Sequence, residues 1–249
     1  MSPEGTFRRL VRIATHRMAH GNVQARCAIE DDFHHFRVTV EARNGKVTAV
    51  RTDARRSPNS LCGAAGHQLE ELVDMALDPT SSAVLKQTDQ FQQCTHQLDL
   101  AGLGVAALAL DRRSRTYEAI VPDRQGGRTS ARLLVDGEPV LNWQVKEMMI
   151  EAPATYEGHS LGSGFTQFTL SLDRDEAEAA LVLRRALFAS QGRGVDTSAL
   201  GDRGPVGGCW AWQPQRASKL RRIPENRHDF SDKACDLLAD DDKWLDFLE

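Results

Sequence analysis

"FRVTVEARNGKVTAVRTD", residues 36–53, constrains the fold more than any other stretch of the chain. Two runs that alternate apolar and polar residues flank Asn44-Gly45, the dipeptide favoured by a two-residue type I′ turn because both central residues take positive φ. Such a turn predicts a register in which Arg43 faces Lys46, Ala42 faces Val47, Val40 faces Ala49, Val38 faces Arg51 and Phe36 faces Asp53. One face then carries Phe36, Val38, Val40, Ala42, Val47 and Ala49, and ends in Arg51 and Asp53. The period of two adds His34 to that face, and Asp32 if the strand extends upstream. A charge on a core-facing side must be paired or put to use, so this end of the hairpin is the first candidate site.

Downstream, Leu69, Leu72, Val73, Ala76 and Leu77 follow the i, i+3, i+4, i+7, i+8 spacing of an amphipathic helix over residues 68–77. Pro79 opens a second helix that runs to about Phe91. Thr95 is the expected N-cap of a buried helix of about 14 residues, in which Leu98, Gly102, Val105 and Ala109 form a tight packing stripe. "TYEAIV", "TSARLLV" and "PVLNWQVKEMMIEA" read as strands, the last two joined by Asp136-Gly137. Asp173-Arg-Asp-Glu176 is a capping-box variant that starts a helix ending before Gly192. "GSGF" at 162–165 reads as a turn, and residues 191–208 as a Gly-rich loop. Ser231 caps a final amphipathic helix bearing Ala234, Leu237, Leu238, Trp244, Leu245 and Leu248. The expected fold is α+β: antiparallel hairpins packed against several helices, with a docked C-terminal amphipathic helix. Residues 1–249 are expected to form a single domain, with a candidate subdivision into 1–112 and 113–249.

The net charge of −4 offers no basic excess to release phosphate counterions, so nucleic acid is not an expected partner. The basic patches "FRRLVRIATHR" and "RASKLRR" read as solvated faces. Arginines recur every few residues between Phe7 and Met18, which leaves no apolar core for a leader. No run approaches the ~20 apolar residues of a membrane span, and the expected location is cytoplasmic. Cys27, Cys62, Cys94, Cys209 and Cys235 are odd in number, widely spread and without a CxxC pair, so reduced thiols are expected. There is no GxGxxG after a strand, no Walker loop, no HExxH and no GxSxG, which disfavours nucleotide cofactors, hydride transfer and serine-hydrolase chemistry.

Five segments, "GTFRRLVRI", "EDDFHHFRVTV", "RRSPNSLCGAAGHQLEEL", "QCTHQLDLAGLGVAALA" and "CWAWQPQRASKLRR" with its following "RHDF", together resemble the family catalogued as domain of unknown function 2889. The resemblance covers most of the chain in order, and its most specific piece is Cys62 followed by Cys94-Thr95-His96. In that family the segment at the first cysteine often reads Arg-x-Pro-Trp-x-x-Cys-Pro. This chain departs from it at Asn59, in place of the Trp, and at Gly63, in place of the second Pro. The family has no settled general activity, so the resemblance bears on the site more than on the reaction.

Three chemistries compete for these residues. A thiol at a helix start gains from the dipole and the unpaired N–H groups, so Cys94 could be a thiolate activated by His96; the alternative is a small buried cysteine and a histidine that serves the local backbone. Cys62, Cys94 and His96, with His35, His34 or Asp32, supply donors suited to Zn or Fe. Asp32, His34, His35, Arg51, Asp53, Arg55 and Arg56 gather at one hairpin end, where arginine can hold an oxyanion or phenolate and histidine can move protons; the alternative is a structural ion-pair network. Trp143, Trp210, Trp212 and Tyr117 could line an apolar cavity for a flat ligand, or fill the core. The leading expectation is a cofactor-independent acid–base lyase or isomerase acting on a small hydrophobic, hydroxylated aromatic substrate, with His34, His35, Arg51, Asp32, His96 and Cys94 as catalytic candidates. Arg55, Arg56, Trp143, Trp210, Trp212 and Tyr117 are its substrate-binding candidates. Formaldehyde-releasing, retro-aldol-like cleavage of a phenylpropanoid dimer is one concrete form. The alternative is a non-catalytic Zn or Fe scaffold or sensor on Cys62, Cys94, His96 and His35. Assembly into a homo-oligomer stays open.

Overall fold

The computed structural model describes residues 5–195 and 206–248. Antiparallel strands and several helices make the fold α+β, and the chain divides into two compact units. Within the described residues, one unit holds 11–115, 206–228 and 238–248, and the other holds 5–10, 116–195 and 229–237.

The first unit is built on β1 (Thr6–Arg17, of which 11–17 belong here), β2 (Asn22–Asp31), β3 (His35–Arg43) and β4 (Lys46–Arg56), hydrogen-bonded in the order β4-β3-β2-β1. The stretch expected to be a solvated basic face is therefore a strand: Phe7, Arg9, Val11 and Ile13 are buried at every second position. Asn44 (φ 52°) and Gly45 (φ 75°) make the expected turn between β3 and β4. The register departs from expectation just beyond it. Ala42 pairs with Val47 but Glu41 pairs with Ala49, a bulge that leaves Thr48 over and shifts every later pair by one. Val38 accordingly faces Thr52, Arg51 faces Thr39 and Asp53 faces Arg37, so Arg51 and Asp53 turn away from the apolar face and are exposed. A second irregularity between the pairs Phe36–Ala54 and His35–Arg56 sets Arg56, which is buried, opposite His35 and beside Glu30.

Helix α1 (Thr95–Ala109) lies against β2 and β3 on one side and against the 3₁₀ turn Ser81–Lys86 on the other. Cover on both sides explains why it is apolar nearly all round rather than along one stripe. A methyl group on Gly104 would stand 3.0 Å from Cys27 Sγ and 3.1 Å from Val40, and one on Gly102 would run into the carbonyl oxygen of Ser81. The flanking helices expected from periodicity are absent. Residues Gly63–Leu72 are 3₁₀, after which Asp74 takes a positive φ of 68° and the chain pairs with the open edge of β4. Val47 N–H donates to the Met75 carbonyl at 2.9 Å, and Leu77 N–H to that of Gly45 at 2.8 Å. The second expected helix is reduced to Ser81–Lys86 and the turn Gln90–Gln92.

In the other unit, β5 (Ser114–Pro122, of which 116–122 belong here), β6 (Arg128–Val135), β7 (Glu138–Lys146) and β8 (Met149–Ala152) follow one another as antiparallel neighbours. Asp136 (φ 53°) and Gly137 (φ 89°) form the expected turn, while Glu147 (φ 50°) splits the last expected run into β7 and β8. Helix α2 (Phe165–Thr169) follows Gly164, and α3 (Arg174–Ser190) packs on β6 and β7. The capping box does not form: Asp173 makes no side-chain cap bond, and Glu176 instead accepts the Tyr156 hydroxyl at 2.7 Å.

The expected C-terminal amphipathic helix is broken. Its residues make the 3₁₀ turns Ala234–Asp236 and Ala239–Asp241 and a short helix Asp242–Leu245, with Leu238 (φ 57°) left-handed. Ser231 does not cap a helix; it accepts a bond from Thr6 N–H at 2.9 Å. Leu238 N–H is taken by the Glu30 carboxylate at 2.7 Å, a bond that a continuous helix could not make. Of the loop expected at 191–208, Gln191–Gly194 is a 3₁₀ turn and 196–205 lie outside the described residues.

Gly102→Ala should lower stability by about 1–3 kcal/mol, the usual range for overpacking against neighbours that cannot yield. A fall in the urea midpoint with an unchanged slope would show it.

Candidate functional site

Four segments of the first unit meet at one end of α1: the β2–β3 turn, the loop that leaves β4, the residues ahead of α1, and the stretch 209–228. Their seams are backbone bonds. His228 N–H donates to the Asp32 carbonyl at 2.8 Å, Ile223 N–H to Pro58 at 3.0 Å, and Trp210 N–H to Gln93 at 3.1 Å.

The β2–β3 turn folds around a carboxylate. Asp31, fully buried, accepts the backbone N–H groups of Phe33 at 2.7 Å and His34 at 2.9 Å, and it faces His34 Nδ1 at 3.0 Å. A proton on Nδ1 would satisfy this carboxylate, which orients the ring and leaves Nε2 as its other nitrogen. β3 begins at His35, so His34 is a turn residue rather than an upstream continuation of the strand, yet its ring still lies 5.7 Å from that of Phe36. His96, in the first turn of α1, stacks on it with ring centroids 3.9 Å apart and planes at 28°.

Arg56 holds this turn in place. Its Nη1 donates to the carbonyls of Asp32 (3.1 Å) and Asn226 (3.0 Å); its Nη2 donates to Glu30 Oε1 (3.0 Å) and to the Asp31 carbonyl (2.7 Å). A guanidinium so fully engaged positions the turn and is not the substrate clamp expected from the sequence. Nor is Arg51, which lies on the opposite face paired with Glu41, nor Arg55, which is exposed beside Asp53 at 3.5 Å. His35, the other half of the double histidine, faces away from this pair. Its Nε2 meets Asp241 at 2.8 Å and its Nδ1 lies 3.6 Å from Glu30.

The aromatic candidates are not gathered. Trp143 and Tyr117 belong to the other unit, where Trp143 packs 5.0 Å from Tyr156 and the Tyr117 hydroxyl donates to Glu178. Trp210 and Trp212 do border the four-segment region. Trp210 meets His67 edge-on at 5.6 Å under the guanidinium of Arg216 at 4.1 Å, and Arg222 stands 5.8 Å from Trp212.

The N-cap of α1 is Cys94, one residue earlier than expected, and its side chain makes no cap bond. Burial pushes the Cys94 thiol far up, the neighbouring thiols of Cys62 and Cys209 add to the rise, and the N–H groups of Gln97 and His96 offset it only in part. Burial likewise raises Cys62 to about 11. Desolvation outweighs the helix dipole here, which favours the small buried cysteine over the activated thiolate, the two readings open for this helix start. Among the described residues, no group of three or more His, Cys, Asp or Glu side chains is arranged to hold a metal ion. With His35 engaged by Asp241, the donors expected for Zn or Fe do not fit together.

Compared with known families and with curated proteins, the chain matches neither a family model nor a curated relative. The family resemblance therefore rests on the quoted motifs alone.

The sequence reading missed Asp31, Glu30 and Asp241. Asp31 had a signal: an aspartate three residues ahead of a histidine, just past an alternating run. Asp241 had none, since its partners His35 and Arg37 are some two hundred positions away. Burial pushes the Asp241 carboxyl up, but hydrogen bonds from His35 and Arg37 and their charges pull it further down, so the net direction is below the ordinary carboxylate value. A depressed folded-state value contributes stability that is present above about pH 4 and is lost as pH falls through the folded value. Asp241→Asn should thus cost about 3 kcal/mol at pH 7, as breaking a buried pair does, and much less near pH 3. Urea midpoints of both proteins across that range measure it.

Proposed function

We propose that the chain is a cofactor-independent acid–base lyase or isomerase for a small hydrophobic, hydroxylated aromatic substrate, with His34 as the base. The buried Asp31–His34 pair with His96 stacked on it is the observation that carries this reading. Asp31 orients the imidazole and stabilises the imidazolium that forms when Nε2 takes a proton, the role a carboxylate plays behind a catalytic histidine. His96 supplies a second proton-carrying group beside it. The oxyanion role first given to Arg51 falls to His96, because Arg51 is on the far face and Arg56 is committed to the turn. The fully buried ring of Phe36 backs the two imidazoles with an apolar surface.

In the retro-aldol-like form of the reaction, His34 removes the proton of a primary hydroxyl. The carbon–carbon bond breaks as the new carbonyl forms, and formaldehyde leaves. The electron pair left on the substrate carbon then takes a proton from the acid partner. Nothing is oxidised or reduced overall, so no redox cofactor is required. Membership of the family catalogued as domain of unknown function 2889, residence in the cytoplasm and assembly into a homo-oligomer belong to the same proposal. Among the described residues, no helix is long and apolar enough to cross a membrane.

The test is a panel of hydroxylated phenylpropanoid dimers, with formaldehyde release and substrate loss as readouts. His34→Ala should lower kcat by about 10²–10⁴, the contribution general acid–base groups make, with unchanged circular dichroism. His96→Ala should show a loss of the same kind, and Arg51→Ala should retain activity. Full turnover in both histidine variants would overturn the assignment.

A further inference from the structure

Three of the five cysteines precede helical turns in the first unit: Cys62 before Gly63–Leu72, Cys94 before α1, and Cys209 before the 3₁₀ turn Trp210–Trp212. Backbone and side-chain bonds tie them together. Trp210 N–H donates to the Gln93 carbonyl at 3.1 Å, so Cys209 and Cys94 each stand a few covalent bonds from one end of a single hydrogen bond. The Gln213 amide reinforces the seam by donating to the carbonyls of Phe91 (2.8 Å) and Cys209 (3.4 Å). Cys62 is drawn to the same place, since its carbonyl accepts from Gln97 Nε2 at 3.0 Å, one turn into α1. The thiols differ in access: Cys62 and Cys94 are buried, whereas Cys209 is partly exposed.

We propose that Cys209 and Cys94 form a peroxide-oxidisable thiol pair, with Cys209 as the point of entry. Cys209 attacks the peroxide: a sulfur–oxygen bond forms, the oxygen–oxygen bond breaks, and water leaves. The Cys94 sulfur then displaces the hydroxyl of the resulting sulfenic acid as the Cys94 proton passes to that hydroxyl, forming the disulfide and releasing a second water. Two thiols lose two electrons, and one peroxide is reduced to two waters. Sulfenic acid formation requires access, which Cys209 has, and a nearby resolving thiol; Cys94 adjoins the Gln93 carbonyl that Trp210 N–H meets, and the Cys94 and Cys209 side chains interact electrostatically. The bridge would lock the 209–228 stretch to the start of α1, two residues from His96.

The experiment treats the full-length chain with hydrogen peroxide, counts free thiols and maps peptides by non-reducing mass spectrometry. The expected result is the loss of two thiols, a Cys94–Cys209 linked peptide, and full recovery with dithiothreitol. Cys209→Ser should abolish the link, and Cys27→Ser should leave it intact. As Cys209 is not buried, its variant tests the proposal even if Cys94→Ser fails to fold. Retention of all thiols, a link through Cys62 or Cys235 instead, or sulfinic acid on Cys209 without a link would overturn the pair.

Discussion

The buried ion pair between Arg56 and Glu30 is the contact on which the polar end of the first unit depends. Neither charge could lie under so little solvent alone, because desolvating an unpaired ion costs several kcal/mol. Together they also satisfy backbone groups that no strand ladder reaches. Arg56 gathers the carbonyls of Asp31, Asp32 and Asn226, and Glu30 takes the Leu238 amide. One ion pair thereby fixes the β2–β3 turn, the 221–228 stretch and the entry to the last turns of the chain. The second irregularity in the strand sets Arg56 opposite His35, which itself pairs with Glu30; without it Arg56 would fall on the Phe36 side that Ala54 shares.

Helix α1 supplies the opposite constraint, one of space rather than charge. The glycines at 102 and 104 let it approach the Ser81–Lys86 turn and the β2–β3 ladder closely. Close approach on both sides leaves the helix little freedom to slide. His96, in the first turn of the helix, is accordingly held at a fixed height against the β2–β3 turn, and a stacked pair of imidazoles at 3.9 Å requires such a fixed height.

Features with a local cause were legible in the sequence. The Asn44-Gly45 and Asp136-Gly137 turns follow from positive φ, α1 from its length and apolarity, and α3 from its pattern, and each is present. The α+β class follows from them. Features decided by partners far away in the chain were not legible. A bulge carries no residue signature in β4, so the faces of Arg51 and Asp53 were assigned by a parity that one extra residue reverses. The apolar spacing at 231–248 suits a helix, but Glu30 and the His35–Arg37 pair hold Leu238 and Asp241 in turns instead. His34 and His96 were both identified as candidates; their stacking, and the carboxylate behind His34, come only from the tertiary fold.

His34 in the β2–β3 turn and His35 at the start of β3 are neighbours in the chain, but their side chains have different surroundings. His35 sits between two carboxylates, Asp241 at one nitrogen and Glu30 near the other, so both of its polar atoms serve the ion network that anchors the chain end. His34 has one carboxylate, at Nδ1, and its other face lies against a second imidazole. The double histidine is thus divided by its surroundings: His35, the first residue of β3, joins the ion network at the chain end, and His34, in the turn before it, joins Asp31 and His96.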